Sequence, residues 1–255
     1  MSVASEFDLT GRTALVTGST TGLGRSMAFA LARHGARVVL NYANNQQRAE
    51  ACFADLQAAG HQGMLSCASV IDEGEVDRMV TEVESALGGI DILVVNATPD
   101  QPQRSIEEYD WDFHQQMIDF FLKSPYLLAR RLLPHMKAQR WGRIINIGSE
   151  VLARGAGNFS PYVAAKGAQN GWTRSMATEL APHGITVNMI SPGWIPVERH
   201  ADAHPDQLEA YRSVVPMARM GLPEDLAGAV TFLASNTSNF VTGQNIHVNG
   251  GVTTH

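Results

Sequence analysis

Cysteine is scarce in this chain: Cys52 and Cys67 stand alone, in no CxxC pair and at no metal-ligand spacing. A disulfide framework is not expected, and a reduced, cytoplasmic protein is the simplest reading. Clustered basic residues are lacking as well. With a net charge of −6 and no Lys/Arg run, the chain offers neither nucleic acid nor an anionic membrane surface an electrostatic footprint. Its longest apolar runs have the length of strands, so nothing in them is expected to span a bilayer. The opening MSVASEFDLTGR is polar and acidic, and no signal peptide is expected. Repeats and low-complexity linkers are missing too, and 255 residues suffice for one well-buried domain over 1–255.

What is present is an alternation. Short β-branched runs fall at Thr13–Gly18, Arg37–Tyr42, Met64–Ala68, Asp91–Asn96, Arg143–Gly148, Ile185–Ile190 and Asn245–Asn249. Most are apolar nearly throughout, as strands covered on both faces must be. Between them, helical periodicity predicts helices over Leu23–Arg33, Gln46–Ala58, Glu73–Ala86, Ile106–Lys137 (broken near Pro125), Tyr162–Leu180 and Pro223–Ala234. Gly35, Gly60, Gly88-Gly89, Gly142 and Gly184 sit where helices should stop. The order β-α-β-α predicts an α/β fold: a doubly wound, Rossmann-like parallel sheet of about seven strands, with helices on both faces. Residues 194–220 interrupt the rhythm with weak helical character near Pro205–Val214, the mark of a substrate lid.

The first strand runs into TGSTTGLGR, with Gly18, Gly22 and Gly24 spaced to turn off a strand and open a helix. Such glycines let backbone approach a pyrophosphate at the positive end of that helix. At the end of the second strand an acid would bind the free ribose hydroxyls of NAD. Asn41 stands there instead, and no acid follows before Glu50, which favours NADP(H) over NAD(H). The fifth strand ends INIGS, placing Ser149 on the same sheet edge. Thirteen residues on, SPYVAAK sets Tyr162 and Lys166 four apart, on one helix face. A free tyrosine has a pKa near 10, and a nearby ammonium can lower it until the phenol exchanges a proton with a substrate oxygen. Ser149 would hold that oxygen while a nicotinamide carries hydride.

TGSTTGLG, GRIINIGS, YVAAK, GITVNMISPGWI and FVTGQNIHVNGG, in this order, resemble the short-chain dehydrogenase/reductase family in its short single-domain branch, close to 3-oxoacyl-carrier-protein and sugar or ketone reductases. The resemblance covers nearly the whole chain. It implies Ser149, Tyr162 and Lys166 as catalytic residues and an NADP(H)-dependent interconversion of carbonyl and secondary alcohol, with Tyr162 as general acid or base. It implies cofactor contacts from Gly18, Thr20, Gly22, Leu23, Gly24, Asn41, Val70, Asn96, Ala97, Tyr162, Lys166, Pro192, Gly193 and Ile195. It further implies a homotetramer acting on a small molecule. Val151 and Trp194 are the expected substrate-lining residues.

The chain departs from the family pattern at several places. Thr98 stands where a glycine follows Asn96, Ser69 where an acid follows the third strand, Val197 where a threonine follows PG, and Asn249 where an Asp precedes the last Gly-Gly. No asparagine occurs between Asn96 and Asn146, so the family's helix asparagine is missing, with Phe121 or Ile118 in its place depending on the register. That loss motivates a second expectation, a dinucleotide-binding protein with weak or no catalysis. His200 and His204 lack a third ligand, so no metal site is expected. No GxSxG elbow surrounds Ser149, which argues against a serine hydrolase.

Overall fold

A computed structural model describes residues 6–254. Seven strands form one parallel sheet: β1 (Thr13–Val16), β2 (Arg37–Tyr42), β3 (Gly63–Cys67), β4 (Ile92–Val95), β5 (Gly142–Ile147), β6 (Ile185–Pro192) and β7 (Asn245–Val248). Their order is β3-β2-β1-β4-β5-β6-β7. The chain winds outward from β1 to β3, then returns to pair β4 against the other side of β1, with Leu15 opposite Leu93. The winding direction reverses between β1 and β4, and the crevice beyond their carboxyl ends is where ligands bind in such sheets.

The helices are α1 (Gly22–Arg33), α2 (Gln46–Ala58), α3 (Glu73–Leu87), α4 (Trp111–Ile118), α5 (Ser124–Gln139), α6 (Val151–Arg154), α7 (Ser160–Leu180), α8 (Pro205–Val214) and α9 (Ala227–Ala234). Successive strand residues point to opposite faces. Ala14, Val16, Val38 and Leu40 therefore join Met27 and Leu31 of α1 and Val230 of α9 in one core. Leu15, Val39, Leu93 and Val95 meet Val80 of α3, Leu128 of α5 and Leu180 of α7 in the other. A third, small apolar cluster gathers Met117, Phe121, Phe159, Tyr162 and Ala165.

Two expectations need correction. The helix past residue 106 does not break at Pro125. A short 3-10 turn (Ile106–Glu108) stands apart, and α4 runs through a π turn (Asp119–Lys123) directly into α5. Proline has no N–H to give the carbonyl four residues back, here that of Phe121, so the ladder skips a register just before it. In the π turn the Ser124 N–H bonds to the Asp119 carbonyl. Second, Gly142 is not a helix stop: it opens β5, and Arg140 takes the left-handed cap at φ 51°.

Candidate active site

The glycine loop is held from below. Gly18 and Gly22 adopt φ of 59° and 52°, a region costly for any side chain. A Cβ on Gly24 would stand 2.5 Å from the Gly18 carbonyl oxygen and 2.5 Å from Asn96 Nδ2. Asn96 at the end of β4 donates from that nitrogen to the Thr17 and Gly18 carbonyls, at 2.9 and 3.1 Å. Asn41 at the end of β2 accepts from the Gly18 N–H at 3.2 Å and donates to the Ala68 carbonyl at 2.9 Å. This corrects the expectation for Asn41: it reaches the predicted strand end, but its side chain turns inward to staple the loop. Asn96 does the same from the other side. Ala97 backs onto Gly18, Thr20 and Val70 are buried, and Leu23 is half-buried.

The residues present fit a dinucleotide pyrophosphate. Thr21 lends α1 no side-chain cap, so its first N–H groups are available to an anion. One carboxylate, that of Glu198, lies beside them. Burial disfavours ionised Glu198, yet its own N–H, the Gly22 N–H and Arg48 nearby outweigh this and hold its pKa below the usual value. Val197 packs beside it, 3.3 Å from where a Gly22 Cβ would be.

The catalytic candidates converge at the neighbouring sheet edge. Ser149 follows β5, accepts from the Val151 N–H at 3.3 Å and lies against the Tyr162 phenol. Pro161 pre-sets the first turn of α7, and Tyr162 and Lys166 follow one turn apart. The Lys166 ammonium donates to the Ile147 carbonyl at 2.5 Å and to Gln169 Oε1 at 3.1 Å, and lies 3.7 Å from the centre of the Phe121 ring. Phe121 meets Tyr162 edge-on, with centroids 5.3 Å apart, and Phe159 stands 4.9 Å away on another side. Phe121, not Ile118, is thus the residue of the long helix at the tyrosine.

Packing changes the electrostatics expected from sequence. Tyr162 is 8% exposed and Lys166 3%. Burial pushes the Tyr162 pKa up, while the Ser149 hydroxyl and the charge of Arg199 pull the other way. Burial also drives the Lys166 pKa well below its ordinary value, and Arg199 adds to that. The phenol is therefore not simply made acidic by its neighbour: a dry site penalises both charged forms.

The lid residues divide. Pro192 ends β6 and Ile195 is buried in the first core. Gly193 is crowded, with the Tyr211 hydroxyl 2.5 Å from a Cβ built there. The Trp194 N–H donates to the Tyr211 hydroxyl at 2.8 Å, and that hydroxyl donates to Glu150 Oε1 at 2.8 Å. Glu150 also pairs with Arg154 at 2.9 Å. Buried beside Ser149, it anchors α8 rather than facing the mouth of the site. Val151 packs against the Phe121–Tyr162 cluster. Thr98 is exposed and its hydroxyl meets the Gln101 amide. Sequence reasoning missed Gln169, Glu198 and Tyr211. Only Gln169 left a signal, three residues after Lys166 and so on the same helix face.

The profile of a family described as enoyl-(acyl carrier protein) reductase matches residues 18–253. The chain belongs to the short-chain dehydrogenase/reductase family. It is 42% identical over 244 residues to the 3-oxoacyl-[acyl-carrier-protein] reductase of Staphylococcus aureus, covering 94% of this chain and 98% of that protein. It is 36% identical over 250 residues to the 2-dehydro-3-deoxy-D-gluconate 5-dehydrogenase of Formosa agariphila, covering 96% and 94%. The crystal structure of a 3-oxoacyl (acyl-carrier-protein) reductase from Agrobacterium tumefaciens with NADP bound superposes with a TM-score of 0.91, at 32% identity and 98% coverage of both chains. This short-chain dehydrogenase/reductase is an oxidoreductase of the CH–OH/C=O type. Among the described residues no helix is long and apolar enough to cross a membrane.

Proposed function

We propose that the protein is an NADP(H)-dependent reductase that converts a small carbonyl compound into a secondary alcohol, with Tyr162 as general acid. One observation carries the reading: Ser149, Tyr162 and Lys166 converge at the carboxyl edge of the sheet, with Ser149 against the Tyr162 phenol, and burial favours the protonated phenol that carbonyl reduction draws on. Ser149 hydrogen-bonds the carbonyl oxygen and orients it toward Tyr162. Lys166, fixed one turn below, supplies positive charge that eases loss of the phenol proton. The dinucleotide supplies the hydride when bound. Gly18, Thr20, Gly22, Leu23 and Gly24 would hold its pyrophosphate, Val70, Asn96 and Ala97 would line its path, and Pro192, Gly193 and Ile195 would flank its nicotinamide. NADP(H) preference is supported by the uncharged end of β2 and by the NADP in the Agrobacterium structure. Val151 and Trp194 would line the substrate under a lid at about 194–220.

Homotetramer assembly in the cytoplasm completes the reading. The assembly is supported by the exposed aromatic residues Trp111 and Tyr126 on α4 and α5, and light scattering checks it. The activity is tested by incubating the protein with NADPH or NADH and a panel of β-ketoesters, β-ketoacyl thioesters and keto sugar acids, following nicotinamide absorbance. Consumption of NADPH in preference to NADH is expected with at least one class. Inertness toward the whole panel with both dinucleotides, in either direction, would overturn the reading.

A further inference from the structure

We propose that Phe121 is a positioning residue: the face of its ring holds the Lys166 ammonium beneath Tyr162, in the place where the family pattern has a polar asparagine. The inference rests on the reading of Tyr162 and Lys166 as the reacting pair.

An ammonium has three N–H donors. Two go to the Ile147 carbonyl and Gln169 Oε1. The remaining direction is covered by the Phe121 ring at 3.7 Å, well within cation–π reach and in a site where both partners are buried. The same ring meets Tyr162 edge-on, so one side chain sets both members of the pair. The π turn makes this possible, because its extra residue alters which side chain of the α4–α5 helix faces α7. Lys166 is therefore a clamped charge, enclosed by protein partners, rather than a station on a polar relay through that helix.

The groups facing Lys166 are few. Tyr162 lies on its own helix, and Arg199 reaches it from the segment after β6. β5 presents a carbonyl and the π turn presents Phe121, neither of them charged. The ring stabilises only the protonated lysine, so removing it lets deprotonation occur at lower pH.

The chain has three lysines, Lys123, Lys137 and Lys166, which makes the titration of one of them readable. The protein labelled with 13C at lysine Cε is titrated by NMR in the parent, Phe121→Leu, Phe121→Met and Phe121→Tyr forms, with Lys166→Met for assignment and thermal melting as the fold control. In Leu and Met forms the Lys166 midpoint is expected to fall by about one pH unit, while the Tyr form keeps it. With any panel substrate that turns over, the alkaline limb of kcat should move down by the same amount, with kcat on that limb about tenfold lower and KM little changed. If only one of Leu and Met folds, that one decides. A Lys166 midpoint the same in the Leu or Met form as in the parent overturns the proposal, as does a Tyr form that falls with them. The NMR reading needs no turnover, so failure of the reductase reading leaves it standing or falling by itself.

Discussion

The two halves of the crevice are built on opposite principles. The glycine-loop half is a polar frame in which Asn41 and Asn96 spend their amides on the Gly18 backbone, and Glu198 stands beside the uncapped N-terminus of α1. The catalytic half is dry: Tyr162 and Lys166 are enclosed by Phe121 and Phe159, and burial governs their charge. The difference shows where this chain was free to change. A pyrophosphate cradle depends on backbone donors and tolerates little, whereas a buried lysine can be held by a carbonyl, an amide and a ring as well as by polar side chains.

If the halves are separable, substitutions should sort by half. The largest effect is expected for Tyr162→Phe, which removes the general acid. Its kcat should drop by about 10²–10⁴ in stopped-flow assays while NADPH affinity, read by fluorescence, stays the same. A parallel loss of affinity would mean the halves are one unit. Next, Gly24→Ala drives a methyl into the Gly18 carbonyl and the Asn96 amide. NADPH binding should weaken about tenfold or more, whereas the Lys166 titration does not move. Tyr211→Phe strips the Trp194 N–H and Glu150 of a shared partner. It should cost about 1–3 kcal/mol in denaturant unfolding and raise KM through a looser lid. The smallest effect is expected for Glu198→Gln, which removes negative charge from the donors a pyrophosphate would take. NADPH should bind about two- to fivefold more tightly, by calorimetry at low salt.

Much of this was legible in the sequence, and the exceptions have physical causes. Strands buried on both faces announce themselves as apolar runs, and every one of the seven expected was found within about two residues. Ser149, Tyr162 and Lys166 were placed by strand-end position and helical spacing, both local. Asn41 was misread because its partner, Gly18, is 23 residues away and joins it only across the β1–β2 pair. The π turn follows from Pro125, but a proline in sequence marks strain without saying which residue relieves it. The sign of the Tyr162 shift was out of reach for a deeper reason. Lys166 is visible four residues on, but the dryness that opposes it is contributed by Phe121 and Phe159 from other parts of the chain.

That sign is also the most direct test of the account. The protein has five tyrosines, so the ultraviolet tyrosinate signal of the parent minus that of Tyr162→Phe isolates one phenol during a pH titration without dinucleotide. The account predicts that Tyr162 ionises above its ordinary value near 10, as a buried acid ready to give its proton to a carbonyl. A Tyr162-dependent tyrosinate signal rising near neutral pH would contradict it.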